Sequence, residues 1–388
     1  MIKIAVLTAT RSEYGLLRQL IFKLLNDPFF EFNLLVTGTH LSKSYGYTVN
    51  EIISDKVPIA AEIPIFSEFD KEDDISDLMA RALKKFSEYF KLNKYDYLLV
   101  DGDRYETLAV CIAAVNHGIK IIHCGGGAVT NGVLDEYWRH AITKLSYLHF
   151  PTMDVYRDRI IRMGENPKRV FTVGSLGLDN MLASNFLRKE EVFDRLGLSY
   201  DVNFALATYH PTIDSLSVLI QNTESLINAC AKTPNIYYIF SKPNSDKGGT
   251  EIWSLIKCLD KNIYSNIICF DSLGSVLYLS AMKYCSFVIG NSSSGLIEAP
   301  SFHVPTINIG KRQSGRVKAE SVIDCKADES SIIEAIYMAL SQPFKDKCLT
   351  VKNPNGDGHA SERIIDILKN KFASTCSNLD KEFFDKNE

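Results

Sequence analysis

The feature that most constrains the fold is a recurring pattern of short apolar runs, each followed by a stretch long enough for a helix. The runs are rich in β-branched and aromatic residues, and their apolar residues are consecutive. Consecutive apolar residues suit strands that are buried on both faces, as in parallel sheets covered by helices. The runs occupy residues 3–9, 32–38, 97–102, 120–124 and 147–152, and then 204–210, 236–241, 267–271, 287–291, 305–310 and 321–325.

This order of runs predicts an α/β fold with two Rossmann-like, doubly wound domains. A chain of 388 residues is too long for one ordinary core, so two domains are the natural division. The segment 169–202 contains a strand-like run, glycines and then a charged helix without a second strand, which places the junction near residue 175. We predict domains over 1–175 and 176–358, followed by a C-terminal helix and charged tail over 359–388.

Charge and cysteine usage exclude several classes of partner and site. A net charge of −4 and a pI near 6.1 give no electrostatic case for a nucleic-acid or membrane-surface partner. The N-terminal segment has too few consecutive apolar residues for a signal sequence, so we expect a cytoplasmic protein. Nine cysteines are scattered singly without a CxxC pair, which predicts free thiols in a reducing compartment and no metal site.

Residues just after strands are the first candidates for function, because ligands of doubly wound sheets bind outside the carboxyl ends of the strands. Arg11 follows the first run, where its guanidinium suits an anionic substrate, although Ser12 capping a helix beside a solvated arginine is the plainer interpretation. Asp103 follows the run at 97–102 and alone would be interpreted as a helix cap. No GxGxxG fingerprint is present, so a dinucleotide site is not predicted.

The stretch that follows the run at 120–124 contains three consecutive glycines and then a group of ionisable side chains. It could be a phosphate cradle, a catalytic loop or a turn before a charged helix. Carboxylates from this stretch lie next to Asp103 in strand order, and two carboxylates in different environments can divide acid and base roles. The candidate residues here are Asp135, Glu136 and Arg139.

The second half supplies the candidates for binding a diphosphate. Three serines and a glycine follow the run at 287–291 and precede an apolar helix, so backbone N–H groups and hydroxyls converge at a helix start. His210, held by the following proline, suits a phosphate ligand or proton carrier, with a structural histidine as the equal alternative. The remaining candidates are Ser292, Ser293, Ser294, Gly295 and Glu298, the cations Arg312 and Arg316, and Asn244 in a polar loop that is otherwise a simple turn.

Taken together, these stretches resemble the UDP-N-acetylglucosamine 2-epimerases, specifically the hydrolysing branch of sialic-acid-type sugar synthesis. The resemblance runs in order along nearly the whole chain, through TATRSEYG, DGDRYE, DEYWRHAITKLSYLHF, VGSLGLDN, HPT, PNSDKGG, GNSSSGLIEAPS, INIGKRQSGRV and NPNGDG. It implies the GT-B architecture, two Rossmann-like domains facing a central cleft, with the last helix packed on the first domain.

The resemblance also implies a reaction and roles for residues. UDP is eliminated across C1–C2 to give a 2-acetamidoglycal, and water then adds to yield the free sugar with C2 inverted, N-acetylmannosamine from UDP-N-acetylglucosamine. No cofactor and no metal is implied, the partner is the UDP-sugar substrate, and a homodimer is expected. UDP contacts are implied for Arg11, Ser292, Ser293, Glu298 and Arg316, and catalytic or orienting roles for Asp103, Asp135, Arg139 and His210.

The chain departs from the family pattern in the glycine stretch. Members typically read H-I-(E/H)-G-G-E there, whereas this chain has Gly125 and Ala128 where proton-transfer groups are expected. In one interpretation the chain is a working epimerase in which Asp135, Glu136, Asp103 or His123 supplies the missing group. Its substrate is then UDP-N-acetylglucosamine or the UDP-N,N'-diacetylbacillosamine of the legionaminic acid route. The alternatives are a hydrolase or glycosyltransferase of the same architecture, and a UDP-sugar-binding protein without catalysis.

Overall fold

The computed structural model describes residues 1–66, 74–130, 134–212, 214–243, 248–259, 264–373 and 381–385. The chain divides into two compact units, the first formed by Met1–Ala183 with Asn355–Glu388 and the second by Ser184–Pro354. The boundary that we predicted at residue 175 lies one helix earlier than this division, because the helix Leu176–Leu182 packs on the first helix of the chain and so belongs to the first unit. No helix in the described ranges is both long and apolar enough to cross a membrane.

The strands and helices alternate along the chain, and single-turn 3-10 helices lie at Gly38–Leu41, Lys43–Tyr45, Pro167–Arg169 and Ala299–Phe302. The strands are β1 (Ile2–Thr8), β2 (Phe30–Val36), β3 (Ile59–Glu62), β4 (Tyr97–Asp101), β5 (Lys120–Cys124), β6 (Leu148–Phe150), β7 (Asn203–Thr208), β8 (Ile236–Ser241), β9 (Ile267–Phe270), β10 (Phe287–Gly290), β11 (Thr306–Ile309) and β12 (Val322–Cys325). The helices are α1 (Arg11–Leu25), α2 (Val49–Ser54), α3 (Ile75–Leu92), α4 (Tyr105–Asn116), α5 (Asp135–Leu145), α6 (Asp154–Arg162), α7 (Leu176–Leu182), α8 (Lys189–Leu196), α9 (Leu216–Ala231), α10 (Gly249–Lys257), α11 (Gly274–Tyr284), α12 (Ser294–Ile297), α13 (Glu329–Leu340), α14 (Gln342–Leu349) and α15 (Ala360–Ala373).

Each unit is built on one six-stranded parallel sheet with the same topology. The first sheet has the order β3-β2-β1-β4-β5-β6, and the second has the order β12-β11-β10-β7-β8-β9. Read from the other edge, the second order is β9-β8-β7-β10-β11-β12, so in both units the first strand of the unit lies beside the fourth. This is the strand order of doubly wound nucleotide-binding sheets. The prediction of two Rossmann-like domains is confirmed.

The strands form where the apolar runs allow burial on both faces of a sheet. Ile4 and Val6 of β1 pack into one core cluster, while Ala5 and Leu7 pack into another on the opposite face. All four are almost fully buried, and burying a large aliphatic side chain contributes roughly 1.5–3 kcal/mol. Helices on both faces therefore stabilise the sheet, and the carboxyl ends of its strands present one edge for the loops.

Two local predictions differ from the structure. We did not predict β3, a four-residue strand at the edge of the first sheet whose residues, IAAE, are alternately half-buried and exposed. An edge strand needs little apolar surface, so the pattern of consecutive apolar residues does not detect it. The strand-like run beginning at residue 169 forms only an isolated bridge between His149 and Val170.

The C-terminal helix belongs to the core of the first unit. Ala360, Ile364 and Leu368 of α15 are buried in the same cluster as the helix α1. The start of α15 is capped from a distant helix, because the carboxylate of Asp179 in α7 accepts hydrogen bonds from the N–H groups of Ala360 at 2.9 Å and Ser361 at 2.6 Å. The first unit therefore closes only when residues far apart in sequence meet.

Candidate active site

The glycines after β5 are required by the backbone of the first unit. Gly125 and Gly127 have φ values of +76° and +80°, in the left-handed region that favours glycine. A Cβ at Gly127 would lie 2.6 Å from the carbonyl oxygen of Tyr156, and one at Gly126 would lie 2.9 Å from Nδ1 of His123. The three glycines therefore let the loop pass tightly between β5 and α6, and this need accounts for them without a bound phosphate.

Arg139 on α5 organises the polar groups at the ends of β4 and β5. Its side chain is almost fully buried, and its Nε lies 2.9 Å from Oδ2 of Asp103, to which Nη2 also donates. Nη1 donates to Oε2 of Glu136 at 2.8 Å and to the Ala128 carbonyl oxygen at 3.1 Å. Nη2 also donates to Thr130 Oγ1 at 3.2 Å. The guanidinium is thus engaged by the protein itself and fixes two carboxylates in place.

Glu136 is the most heavily hydrogen-bonded carboxylate of this group. Besides Arg139, the N–H of Thr130 donates to its Oε2 at 2.7 Å, and Nε2 of His140 lies 2.9 Å from its Oε1. Burial opposes ionisation, but the hydrogen bonds from Thr130 and His140 outweigh it, so the pKa of Glu136 lies below its usual value. Glu136 is therefore an ionised, fixed acceptor near neutral pH and a poor proton donor.

Asp135, one residue earlier on α5, is in a different environment. No residue in the described ranges forms a hydrogen bond or ion pair with its half-buried carboxylate. Burial and the neighbouring Asp103 raise its pKa, against the opposing effect of Arg104 and Arg139. A carboxyl group with a raised pKa and free oxygens is suited to proton exchange with a substrate.

His123 does not fit the missing proton-transfer group. Its side chain is fully buried, its Nε2 lies 2.8 Å from the carbonyl oxygen of Gly102, and its Nδ1 lies 3.3 Å from Thr143 Oγ1. Because a carbonyl only accepts, Nε2 carries the proton. Burial lowers the pKa of His123 to about 3, so the ring is neutral. His123 supports the loop structurally.

Asp101, which the sequence analysis did not single out, occupies the space beside Gly125. It is the last residue of β4, is paired in register with Cys124, and is 9% exposed. Its Oδ1 lies 3.4 Å from the position that a Cβ on Gly125 would take. Burial, and then the nearby Asp103, raise the pKa of Asp101 to about 7. The signal that would have found it is the missing side chain at Gly125 on the adjacent strand end.

Arg11 lies at the start of α1, directly after the loop that follows β1. Thr10, rather than Ser12, caps α1, in a reciprocal capping box with Glu13. Arg11 is the first residue of α1, and its exposed guanidinium lies 2.7 Å from Oε1 of Glu51. Because the Arg11 side chain is exposed at a helix start, a bound anion could reach its guanidinium by replacing Glu51 as the partner.

In the second unit, Asn291 holds the backbone of His210. The N–H of His210 donates to Asn291 Oδ1 at 2.7 Å, and Asn291 Nδ2 donates to the carbonyl oxygen of His210 at 2.9 Å. Asn291 is buried directly after β10, and the preceding Gly290 has a φ of +133°. A Cβ at Gly290 would lie 2.0 Å from the carbonyl oxygen of Thr208, so only glycine fits where β7 and β10 end side by side.

The serine turn leads into a short helix. Ser293 precedes α12 and makes no side-chain capping hydrogen bond within the described residues, and α12 ends after one turn at Ile297, followed by a 3-10 helix beginning with Ala299 and Pro300. So short a helix has a small macrodipole, and the local N–H groups and hydroxyls of the turn carry any attraction for an anion. Gly295 is required by packing, because a Cβ there would lie 2.6 Å from Thr306 Cγ2.

Glu298 and the cations complete the candidate site of the second unit. Oε2 of Glu298 is sealed from solvent without a hydrogen-bond partner in the part of the chain that the structure describes, and burial raises the pKa of this carboxyl to about 7. Nη1 of the exposed Arg312 donates to the carbonyl oxygen of Asn291 at 3.1 Å. Arg316 is exposed four residues later. Asn244 lies outside the described residues.

Comparison with known proteins identifies relatives over nearly the whole chain. The family model described as UDP-N-acetylglucosamine 2-epimerase matches residues 23–369. The chain is 36% identical over 384 residues to the polysialic acid biosynthesis protein P7 of Escherichia coli, covering 99% of this chain and 97% of that protein. It is 36% identical over 388 residues to a hydrolysing GDP/UDP-N,N'-diacetylbacillosamine 2-epimerase of Campylobacter jejuni, covering 99% of each.

A solved structure gives the same result for the fold. The crystal structure of a UDP-GlcNAc 2-epimerase from Neisseria meningitidis bound to UDP-GlcNAc matches with a TM-score of 0.77 at 18% identity, over 95% of this chain and 100% of that one. The GT-B fold class predicted from the sequence is thereby confirmed. The match of the family model over most of the chain shows that this protein belongs to the UDP-N-acetylglucosamine 2-epimerase family.

Proposed function

We propose that this protein is a hydrolysing 2-epimerase that converts a UDP-activated 2-acetamido sugar and water to UDP and the free sugar inverted at C2. The observation that carries the proposal is membership of the epimerase family over residues 23–369, joined to 36% identity with a hydrolysing 2-epimerase over 99% of the chain. The first candidate substrate is UDP-N-acetylglucosamine, with N-acetylmannosamine as the product.

The reaction needs proton transfer at carbon and departure of a charged leaving group. A base removes the C2 proton, the C1–C2 double bond forms, and the C1–O bond to UDP breaks. The resulting 2-acetamidoglycal then gains a proton at C2 on the opposite face, while the oxygen of water bonds to C1 and loses a proton. The protein must therefore supply carboxyl groups able to change protonation and donors that stabilise the departing diphosphate.

In the first unit we assign proton transfer to Asp135. Its raised pKa supports this role, as do its carboxylate oxygens, to which no described residue donates, whereas the hydrogen bonds of Glu136 suit a fixed acceptor. Arg139 is a positioning residue, because its donors are engaged by Asp103, Glu136 and the loop backbone. Asp103, which Arg139 holds in place, is assigned to orient the sugar. The negative charge of Asp103 also raises the pKa of Asp135, the proposed proton-transfer group.

In the second unit we assign binding of UDP. The turn N–H groups and hydroxyls of residues 292–294 with Gly295 suit the diphosphate, and the cations Arg312 and Arg316 suit its charge. The unpartnered Oε2 of Glu298 suits the ribose hydroxyls, which would donate to it. His210, whose backbone Asn291 holds, is proposed to contact the leaving phosphate, and Arg11 of the first unit remains a proposed diphosphate contact. For Asn244 the predicted contact with UDP stays a prediction.

A second candidate substrate is UDP-N,N'-diacetylbacillosamine. The observation that favours it is the 36% identity to the Campylobacter jejuni enzyme whose name carries that sugar. The reaction at C1 and C2 is the same for both sugars, which differ at C4 and C6. The substrate pair therefore tests specificity without changing the chemistry.

Incubation with each UDP-sugar in deuterated water tests the proposal. We expect release of UDP together with the free C2 epimer carrying deuterium at C2, detected by NMR. Release of UDP with unlabelled sugar of unchanged configuration would identify a plain hydrolase instead. Calorimetry with UDP tests the binding assignment separately, and absence of UDP binding by the intact protein would contradict it.

The homodimer and the cytoplasmic location inferred from the sequence stay predictions. Free cysteines suit a reducing compartment, and Cys111, Cys124 and Cys230 are buried thiols in the structure. Sedimentation equilibrium of the purified protein measures the oligomeric state, and fractionation of cells that express it measures the location.

A further inference from the structure

The carboxylate of Asp101 occupies a position that the glycine stretch leaves open. β4 and β5 end side by side, with Asp101 opposite Cys124 and Gly125 following directly. Gly125 has no side chain and adopts a left-handed φ of +76°, so the volume beside it is filled from the neighbouring strand, by Oδ1 of Asp101 at 3.4 Å from the missing Cβ position. The loop after β5 has no ionisable side chain at Gly125 or Ala128, and Asp101 places a carboxylate at the start of this loop instead.

Asp101 differs from the carboxylates around it because nothing in the described chain holds it. Asp103 and Glu136 accept from Arg139, and Glu13 accepts from two backbone N–H groups. No residue in the described ranges donates a hydrogen bond to Asp101 or forms an ion pair with it, although it is only 9% exposed. A buried carboxyl without donors is costly as a purely structural group.

Three ionisable groups interact with Asp101, and none of these three is a cation. Asp103 in the following loop and Glu13 on α1 are carboxyls, and Cys124 on β5 is a thiol that stays protonated because burial raises its pKa well above the usual value. Burial first and Asp103 second raise the pKa of Asp101 to about 7. Near neutral pH the group therefore exchanges a proton readily, as a general acid must.

Inversion at C2 by elimination and addition needs proton transfer on both faces of the sugar. Asp135 can serve one face, but Glu136 is fixed as an ionised acceptor and His123 is a neutral, buried support. We propose that Asp101 is a further catalytic residue, the general acid that delivers the proton to C2 on the face opposite to Asp135. This proposal rests on the epimerase function proposed above.

The proton balance closes with these two carboxyls. Ionised Asp135 takes the C2 proton as the C1–O bond breaks and UDP leaves. Neutral Asp101 then gives its proton to C2 of the glycal, and the oxygen of water bonds to C1. The proton lost by that water restores Asp101, and Asp135 releases its proton to solvent.

The test separates the two half-reactions in the full-length Asp101→Asn variant, which keeps the size of the side chain. Elimination is measured as UDP release from the UDP-sugar, and hydration is measured by supplying the 2-acetamidoglycal with UDP. We expect hydration to fall at least about a hundredfold while elimination falls far less, so that the glycal accumulates and its vinyl proton is seen by NMR. Asp158→Asn, an exposed aspartate on α6, is the matched control.

Each outcome decides the proposal. Hydration at the wild-type rate, or an equal loss of both half-reactions as expected for a disturbed fold, overturns the role of Asp101. Wild-type protein that releases no UDP from either sugar overturns the proposed function and this inference with it. Active wild-type protein with an unaffected Asp101→Asn variant overturns the inference alone.

Discussion

The carboxyl ends of the two sheets hold their polar groups by different means. In the first unit the cation Arg139 fixes the carboxylates of Asp103 and Glu136. Within the described ranges, Asp101 and Asp135 have no hydrogen-bond or ion-pair partner. In the second unit the neutral side-chain amide of Asn291 holds the polar groups in place. Asn291 clamps His210 from both sides, and its own carbonyl oxygen accepts from Gln313 at 2.8 Å.

The two sheets share one topology, but ionisable carboxyls predominate at the strand ends of the first and a neutral amide holds the strand ends of the second. Carboxyls beside other carboxyls have pKa values pushed apart, so the first unit contains both ionised and neutral acids near neutral pH. An amide clamp keeps its geometry at every pH and presents donors without competing charges. This contrast supports the proposal that the first unit transfers protons and that the second unit holds an anion.

The largest effect is expected when the unpaired acid of α5 is removed. In Asp135→Asn we expect kcat to fall by about a thousandfold, because the variant keeps the shape of the side chain and loses its proton-transfer ability. UDP affinity measured by calorimetry should stay within about twofold of the wild-type value. A parallel loss of UDP affinity would contradict the division of work between the units, and Asp158→Asn serves as the control.

The fold was predictable because strands that are buried on both faces consist of consecutive apolar residues. Every strand except β3 coincides with an apolar run, since both faces of a parallel strand must be buried. The end of α12 also had a local signal that we did not use, because Pro300 cannot continue a helix. The cap of α15 by Asp179 had none, because its two partners are brought together only by the fold.

The candidate site was predictable where its residues are close in sequence. Asp135 and Glu136 lie four and three residues before Arg139 on α5, a spacing that brings side chains together on one helix face. Their proximity to Arg139 could therefore be predicted from the sequence. The pKa shifts of these carboxyls could not be predicted, because groups outside α5 contribute to them. Burial and Asp103 raise the pKa of Asp135, and the N–H of Thr130 helps to lower that of Glu136. Asp101 was passed over for the same reason, since its importance depends on a missing side chain on the next strand.

Removing the organising cation tests whether the first unit depends on charge pairing for stability. Arg139→Met keeps much of the side-chain volume but leaves two carboxylates facing each other without a counter-charge. We expect the free energy of unfolding to fall by about 3 kcal/mol, measured by urea denaturation at neutral pH. Arg162→Met, on a solvent-facing position of α6, should cost less than about 0.5 kcal/mol. Equal effects of the two substitutions would show that the pairing is dispensable.

Breaking the amide clamp is the corresponding test in the second unit. Asn291→Ala removes both hydrogen bonds to the His210 backbone, and we expect UDP affinity to fall about tenfold, since freeing this loop costs roughly 1–2 kcal/mol. Asn235→Ala, at an exposed position before β8, is the control. Unchanged calorimetric affinity in Asn291→Ala would mean that the clamp does not position a UDP contact.

The last effect is a pH dependence of stability that comes from Glu298, a carboxyl of the second unit with a strongly raised pKa. Burial raises the pKa of Glu298 to about 7, above the usual value near 4.5 that it regains on unfolding. Between those values the folded state keeps a proton that the unfolded state has lost, so this group makes stability fall as pH rises from about 4.5 to about 7 and adds no slope above that range. Glu298→Gln stays neutral and should abolish this contribution, which is about 1.4 kcal/mol for each pH unit inside the window.

Fluorescence allows this slope to be measured in the second unit alone, because Trp138 lies in the first unit and Trp253 in the second. In a Trp138→Phe background, urea unfolding followed by Trp253 between pH 4.5 and pH 8 should give a flatter stability profile for Glu298→Gln than for Glu298. The slope contributed by Glu13 and Asp101 in the first unit has the same sign, because their pKa values are raised to about 8 and about 7, and it should be unaffected. Identical profiles with and without Glu298 would show that the carboxyl is ionised in the folded protein, and the second unit would then hold a buried charge as the first unit does.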